Sequence, residues 1–216
     1  MSQAVLHQIL EDKIIAIVRG IPSGEITGLA RALRAGGIRC MEVTFDPSSP
    51  ERAADTLSSI RAIREALGGD VCVGAGTVMT AEQVRLAAEA GAEYMISPNV
   101  SEEVIRETKR LGRISIPGAM TPTEAERAYS LGADIVKIFP AGVLGPGYIK
   151  ALKAPLRHIP LAAVGGVTAD NCAEFIRAGA SGVGVGGNLV SPALVSQAKF
   201  DEISAIAGAY TAALHR

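Results

Sequence analysis

The stretch Leu131-Gly-Ala-Asp-Ile-Val-Lys-Ile-Phe-Pro140 joins the end of one helix to a β-rich run, and the same joint recurs down the chain. Gly132 stands where a helix C-terminus favours the left-handed conformation, and Asp134 to Pro140 follows as a β-branched, mostly apolar strand. Equivalent joints are Ala35-Gly36-Gly37 before Cys40 to Phe45, Ala90-Gly91 before Tyr94 to Pro98, Leu111-Gly112 before Arg113 to Pro117, and Ala178-Gly179 before Gly182 to Gly187. Helix starts are marked as well. Thr80-x-x-Gln83 and Thr121-x-x-Glu124 are capping-box patterns, the second with Pro122 at the first helical position. Adding Ile14 to Arg19, Val71 to Thr77 and Leu161 to Gly166 gives eight strands whose starts are 19 to 31 residues apart. That spacing leaves room for one helix between strands.

Strands that alternate with helices across short joints run parallel through right-handed crossovers. Eight such units predict an α/β fold, a (β/α)8 TIM barrel filling residues 1–216 as one domain. An additional N-terminal helix, Ser2 to Glu11, precedes the first strand and is placed to cap the lower mouth. A doubly wound open sheet is the alternative, but no Gly-x-Gly-x-x-Gly follows the first strand.

Composition narrows the function classes. With 21 basic and 22 acidic residues the net charge is -1, which offers no attraction for nucleic acid or an anionic membrane. The longest uncharged window, Ala178 to Ala198, carries five glycines and reads poorly as a membrane span. Charges at Glu11, Asp12 and Lys13 argue against a secretory leader. Cys40, Cys72 and Cys172 lie far apart in sequence, as do His7, His158 and His215, so no metal cluster is legible. Sparse cysteines fit a reduced cytoplasm, with buried structural thiols as their role.

Lys137 is the residue out of place, because a charged ammonium within an apolar strand must be paired or give up its proton. A lone lysine in a strand is ordinarily an edge residue or one that reaches out to water. Its neighbours change that reading. In a barrel, chemistry gathers at the C-terminal ends of the strands, and here those ends carry Arg19, Glu42 with Thr44, Thr77, Pro98, Pro117, and Lys137 with Phe139. Period-two alternation puts Lys137 and Phe139 on one face, and likewise Glu42 with Thr44 and Ile15, Ile17 with Arg19. If these faces point inward, a guanidinium and hydroxyls can hold a 2-keto acid's carboxylate while a neutral amine attacks its carbonyl. Glu42 is the acidic residue placed to move protons. The pairs Gly165-Gly166 and Gly186-Gly187 end the last two strands, where barrels often hold phosphate on backbone N–H groups.

These residues resemble a known family, the class I aldolases of the 2-keto-3-deoxy-6-phosphogluconate / 4-hydroxy-2-oxoglutarate group. The likeness rests on Ile17-Val18-Arg19, Met41 to Phe45, Gly74 to Val78, Ile96-Ser97-Pro98, Pro117-Gly118, Lys137 to Pro140 and Gly165-Gly166-Val167. It implies a Schiff base on Lys137, acid/base catalysis by Glu42 through a bound water, and carboxylate binding by Arg19 and Thr77. It further implies a pyruvate pocket at Pro98 and Phe139, and phosphate binding at Gly165, Gly166, Gly187 and Asn188. No cofactor or metal is implied, and members are typically homotrimers. Three departures stand out. Asp46-Pro47 follows Phe45 where many members have arginine, Asn188 replaces a serine, and Val164 precedes Gly165 where phosphogluconate enzymes have threonine. Val164 is shared with relatives acting on the phosphogalactonate epimer and is the expected specificity position. The expected reaction is cleavage of 2-dehydro-3-deoxy-6-phosphogluconate to pyruvate and glyceraldehyde 3-phosphate, with 4-hydroxy-2-oxoglutarate a further substrate. The galactonate epimer, a phosphate-binding barrel isomerase or epimerase, and a catalytically silent binding barrel are the alternatives.

Overall fold

The computed structural model describes residues 2–215. Among these residues nine strands form one sheet: β1 (Ile14–Val18), β2 (Cys40–Thr44), β3 (Cys72–Gly76), β4 (Tyr94–Ile96), β5 (Ile114–Ile116), β6 (Gly118–Ala119), β7 (Val136–Ile138), β8 (Leu161–Val164) and β9 (Gly182–Val185). Every pair is parallel, in the order β5-β4-β3-β2-β1-β9-β8-β7-β6, so the sheet is nearly closed into a barrel. The two ends of that order are consecutive in the chain.

The count of nine where sequence predicts eight has a local cause. The fifth strand, expected from Arg113 to Pro117, is cut at Pro117, which has no N–H to give to a ladder. Beyond it, a Cβ on Gly118 would lie 2.4 Å from the Pro98 carbonyl oxygen, so only glycine lets the chain pass there. The chain leaves β4 at Ile116 and turns to β7, where the Lys137 N–H donates to the Pro117 carbonyl at 2.9 Å. The break thereby seats the lysine strand.

The helices form where the caps and apolar spacing direct. Both predicted capping boxes are made, at Thr80 with Gln83 and at Thr121 with Glu124. The joint glycines Gly37, Gly91, Gly112, Gly132 and Gly179 all have positive φ. Helix Ile26–Ala35 buries Ile26, Leu29, Ala30 and Leu33, the spacing of one helical face against the sheet. Among the described residues no helix is long and apolar enough to cross a membrane.

Two apolar cores result. The larger lies between sheet and helices, and the smaller fills the barrel interior with Ile15, Tyr94, Ile96, Ile114, Ile116 and Ile135. The N-terminal helix, Ser2–Asp12, packs Val5 and Ile9 into that inner core and so covers the lower mouth. Arg39 ties it down by donating to Asp12. The cysteines differ from the sequence reading. Cys40 and Cys72 are directly opposite on β2 and β3, and Cys72 is only half-buried, because parallel register joins residues that sequence distance separates.

Candidate active site

Strand ends bring the predicted residues to one place. A cavity of about 620 Å³ at the C-terminal mouth is lined by Arg19, Glu42, Thr77, Pro98, Lys137, Phe139, Val164, Gly165, Gly166, Gly187 and Asn188. All eleven candidate positions are therefore in a single site. A separate cleft of about 180 Å³ abuts it and shares Arg19 and Thr77.

Lys137 lies inside the barrel, 9% exposed, with its Nζ 5.1 Å from the centroid of the Phe139 ring. Lys137 on β7 and Phe139 just beyond its end both face the same cavity, as alternation predicts. Burial pushes the Lys137 amine below the ordinary lysine range, the Glu42 carboxylate opposes that shift, and the Arg19 charge adds to it. Glu42 is 2% exposed, and burial pushes its carboxyl upward against the pull of Lys137 and Arg19. The two groups are driven toward each other's range, which favours proton exchange at this site. The Oε2 atom of Glu42 is buried with no partner among the described residues. Such an atom demands a ligand or a water.

The rim is built from strained and glycine-rich turns. Thr77 follows β3 with φ of 56°, a left-handed conformation unusual outside glycine and common where function holds it. Gly165 and Gly166 have φ of 88° and 78° in succession after β8. The Gly142 N–H donates to the Gly165 carbonyl at 2.6 Å, and Asn171 Nδ2 donates to the Gly166 carbonyl at 3.1 Å, fixing that turn. With these carbonyls engaged, the Gly166 and Gly187 N–H groups have no backbone acceptor among the described residues. Asn188 does something sequence could not indicate. Its Nδ2 donates to the Val167 carbonyl at 3.1 Å, tying the turn after β9 to the turn after β8.

Ile17, Val167, Gly184, Gly186, Val190 and Pro192 complete the lining. Ile17 shares the inner face of Arg19, where alternation along the first strand already puts it. Val190 comes from the loop beyond β9 and Pro192 from the first position of the short helix Pro192–Ser196, and no periodic signal marks them. A Cβ on Gly184 would lie 2.9 Å from Val164 and 3.3 Å from Ile17, so these three make one apolar wall. Among the described residues no group of three His, Cys, Asp or Glu side chains is disposed to hold a metal ion.

A parallel barrel with a buried lysine and a buried carboxylate in one cavity at its C-terminal mouth has the fold and the groups that a barrel aldolase would use. The chain belongs to the KDPG and KHG aldolase family, which it matches over residues 5–206. It is 41% identical to the 2-dehydro-3-deoxy-6-phosphogalactonate aldolase of Escherichia coli (strain K12), over 82% of this chain and 83% of that protein. It is 38% identical to the 2-dehydro-3-deoxy-phosphogluconate aldolase of Treponema pallidum (strain Nichols), over 82% of each chain. Among solved structures, one described as native KDPGal superposes with a TM-score of 0.84 at 37% identity, covering 94% of both chains.

Proposed function

We propose that this protein is a class I aldolase that reversibly cleaves 2-dehydro-3-deoxy-6-phosphogalactonate to pyruvate and glyceraldehyde 3-phosphate. The observation that carries the reading is the buried Lys137 amine, held below its ordinary range in one cavity with Glu42 and Arg19. The neutral amine attacks C2 of the keto acid, and loss of water from the adduct gives an iminium. Arg19 and Thr77 hold the carboxylate, and Pro98 and Phe139 enclose the C3 side. Glu42, through a water on its unpartnered oxygen, takes the C4 hydroxyl proton. The C3–C4 bond then breaks, its electrons moving into the enamine as the aldehyde leaves. The enamine regains a proton at C3, and hydrolysis frees pyruvate and the amine. The iminium supplies the electron sink, so this reading gives no step to a metal.

The phosphate is assigned to the Gly166 and Gly187 N–H groups, with Gly165 shaping the turn. Asn188 acts there through its backbone and through the Val167 bond rather than as a side-chain ligand. On the C4 epimer the weight moves from gluconate to galactonate. The apolar wall at Val164 and the E. coli relative support that choice. The T. pallidum relative, at similar identity, makes the gluconate epimer the second reading.

Incubation with pyruvate and borohydride, followed by mass analysis, is expected to give one stable adduct mapped to Lys137. Absence of an adduct from folded protein at saturating pyruvate would defeat the aldolase reading, and turnover of a sugar phosphate without one would favour an isomerase. Assayed with both phospho sugar acids, the parent is expected to prefer the galactonate epimer. Val164→Thr is expected to move that ratio toward gluconate by about 10-fold, the effect of one hydrogen bond to a substrate hydroxyl. An unchanged ratio removes Val164 as the discriminating residue.

Association as a homotrimer belongs to the same proposal. Val143, 83% exposed, and Met120, 46% exposed, offer apolar surface for it. Sedimentation equilibrium at micromolar concentration is expected to give three times the chain mass, and a monomer overturns this assignment.

A further inference from the structure

Glu42 must hold its carboxylate steady to move protons, yet nothing described bonds its Oε2 atom. Its place is made by β3, which leaves room for it. A Cβ built on Gly76 would stand 1.7 Å from Glu42 Oε1 and 2.4 Å from its Cδ. A Cβ on Gly74 would stand 2.2 Å from the Tyr94 ring. Neither glycine has a positive φ, so the backbone does not require glycine at either position. In-strand glycines without a conformational reason mark close approach of another group. The groups that approach are the Glu42 carboxylate and the Tyr94 ring.

Tyr94 is fully buried, and its hydroxyl donates to the Met41 carbonyl at 2.6 Å. Met41 immediately precedes Glu42, and β2 and β3 pair with Glu42 opposite Gly74 and Thr44 opposite Gly76. Gly74 thus admits the ring, Tyr94 pins the backbone of β2, and Gly76 admits the carboxylate.

We propose that Gly76 and Tyr94 are positioning residues for Glu42, Gly76 by leaving empty the volume its carboxylate occupies and Tyr94 by fixing the strand that carries it. This rests on the aldolase reading and makes a distinct demand: proton transfer depends on both residues, whereas the equilibrium yield of the Lys137 iminium does not. Exchange of the pyruvate methyl protons in D2O reads the first. There Glu42 takes a proton from C3 of the iminium, the C–H electrons form the enamine, and a deuteron returns to C3. Borohydride trapping at equilibrium reads the second.

Gly76→Ala is expected to slow exchange by about 10²-fold, the scale of a displaced general base, with the trapped adduct reaching the parental end point. On a Glu42→Gln background the same change is expected to add nothing, because Gly76 acts only through the carboxylate. Tyr94→Phe keeps the ring and loses one hydrogen bond, so exchange is expected to fall about fivefold. Exchange in Gly76→Ala within about twofold of the parent overturns the proposal, as does an equal further loss on the Glu42→Gln background. Should circular dichroism show Gly76→Ala unfolded, Tyr94→Phe decides, and parental exchange in that variant overturns the proposal. If the parent itself gives no adduct, the aldolase reading fails. If the parent traps and exchanges normally and the variants match it, only the positioning role fails.

Discussion

Lys137→Met should abolish the borohydride-trapped pyruvate adduct and lower kcat/KM by on the order of 10⁴-fold or more, the scale seen when a covalent nucleophile is removed. Methionine matches the length and volume of the lysine stem, so the inner face of β7 stays filled. What is lost is the amine. The position cannot be replaced by a neighbour, because among the described residues lining the cavity Lys137 is the one lysine. A variant that still accumulates adduct would show that another lysine carries the chemistry.

The pH dependence follows from the direction of the shift. Burial holds the Lys137 amine below 10.5, so the neutral, attacking form is available at lower pH than for an exposed lysine. Adduct formation should therefore rise with pH through the lowered value and level off before 10.5 is reached. Stability has the matching sign. The folded state binds this proton less readily than the unfolded chain, so the stability associated with the neutral amine is present above 10.5 and is lost as pH falls through the lowered value. Lys137→Met removes that loss, and its melting temperature should vary less with pH over this window than the parent's.

Glu42→Gln should lower kcat by about 10² to 10⁴-fold while the adduct still forms at equilibrium, since the amide fills the same volume but cannot exchange a proton. The pair of measurements separates proton transfer from imine formation. The substitution also changes the lysine. Glu42 is the charge that holds the Lys137 pKa up against burial, so its loss should move the rising limb of adduct formation to lower pH. A limb that stays where it was would mean the two groups do not sense each other. A kcat within about 10-fold of the parent would assign the proton shuttle elsewhere.

Much of this site is legible in the amino-acid sequence. The helix–glycine–strand joint is a local signal, and five of its glycines take the predicted left-handed conformation. Alternation along a strand is local as well, which is why spacing alone assigns a face to Arg19, Glu42, Lys137 and Phe139. Strand limits are less legible. Arg19 and Thr77 fall just past β1 and β3 rather than within them, and the fifth strand is interrupted at Pro117. Asn188 has the right address but a different use, because the Val167 carbonyl it satisfies is 21 residues away.

The rhythm of the barrel, the cap at its base and the residue types at its strand ends can be read from the amino-acid order, because caps, turns and periodicity are properties of neighbouring residues. That eleven positions share one cavity emerges from the folded chain, since convergence depends on closing the sheet. The opposed shifts of Lys137 and Glu42 arise there too, because burial and through-space charge set them. The room that Gly76 gives the Glu42 carboxylate belongs to the same category. A glycine in a strand announces that something passes close by, and only the register of β2 against β3 identifies it as the Glu42 carboxylate.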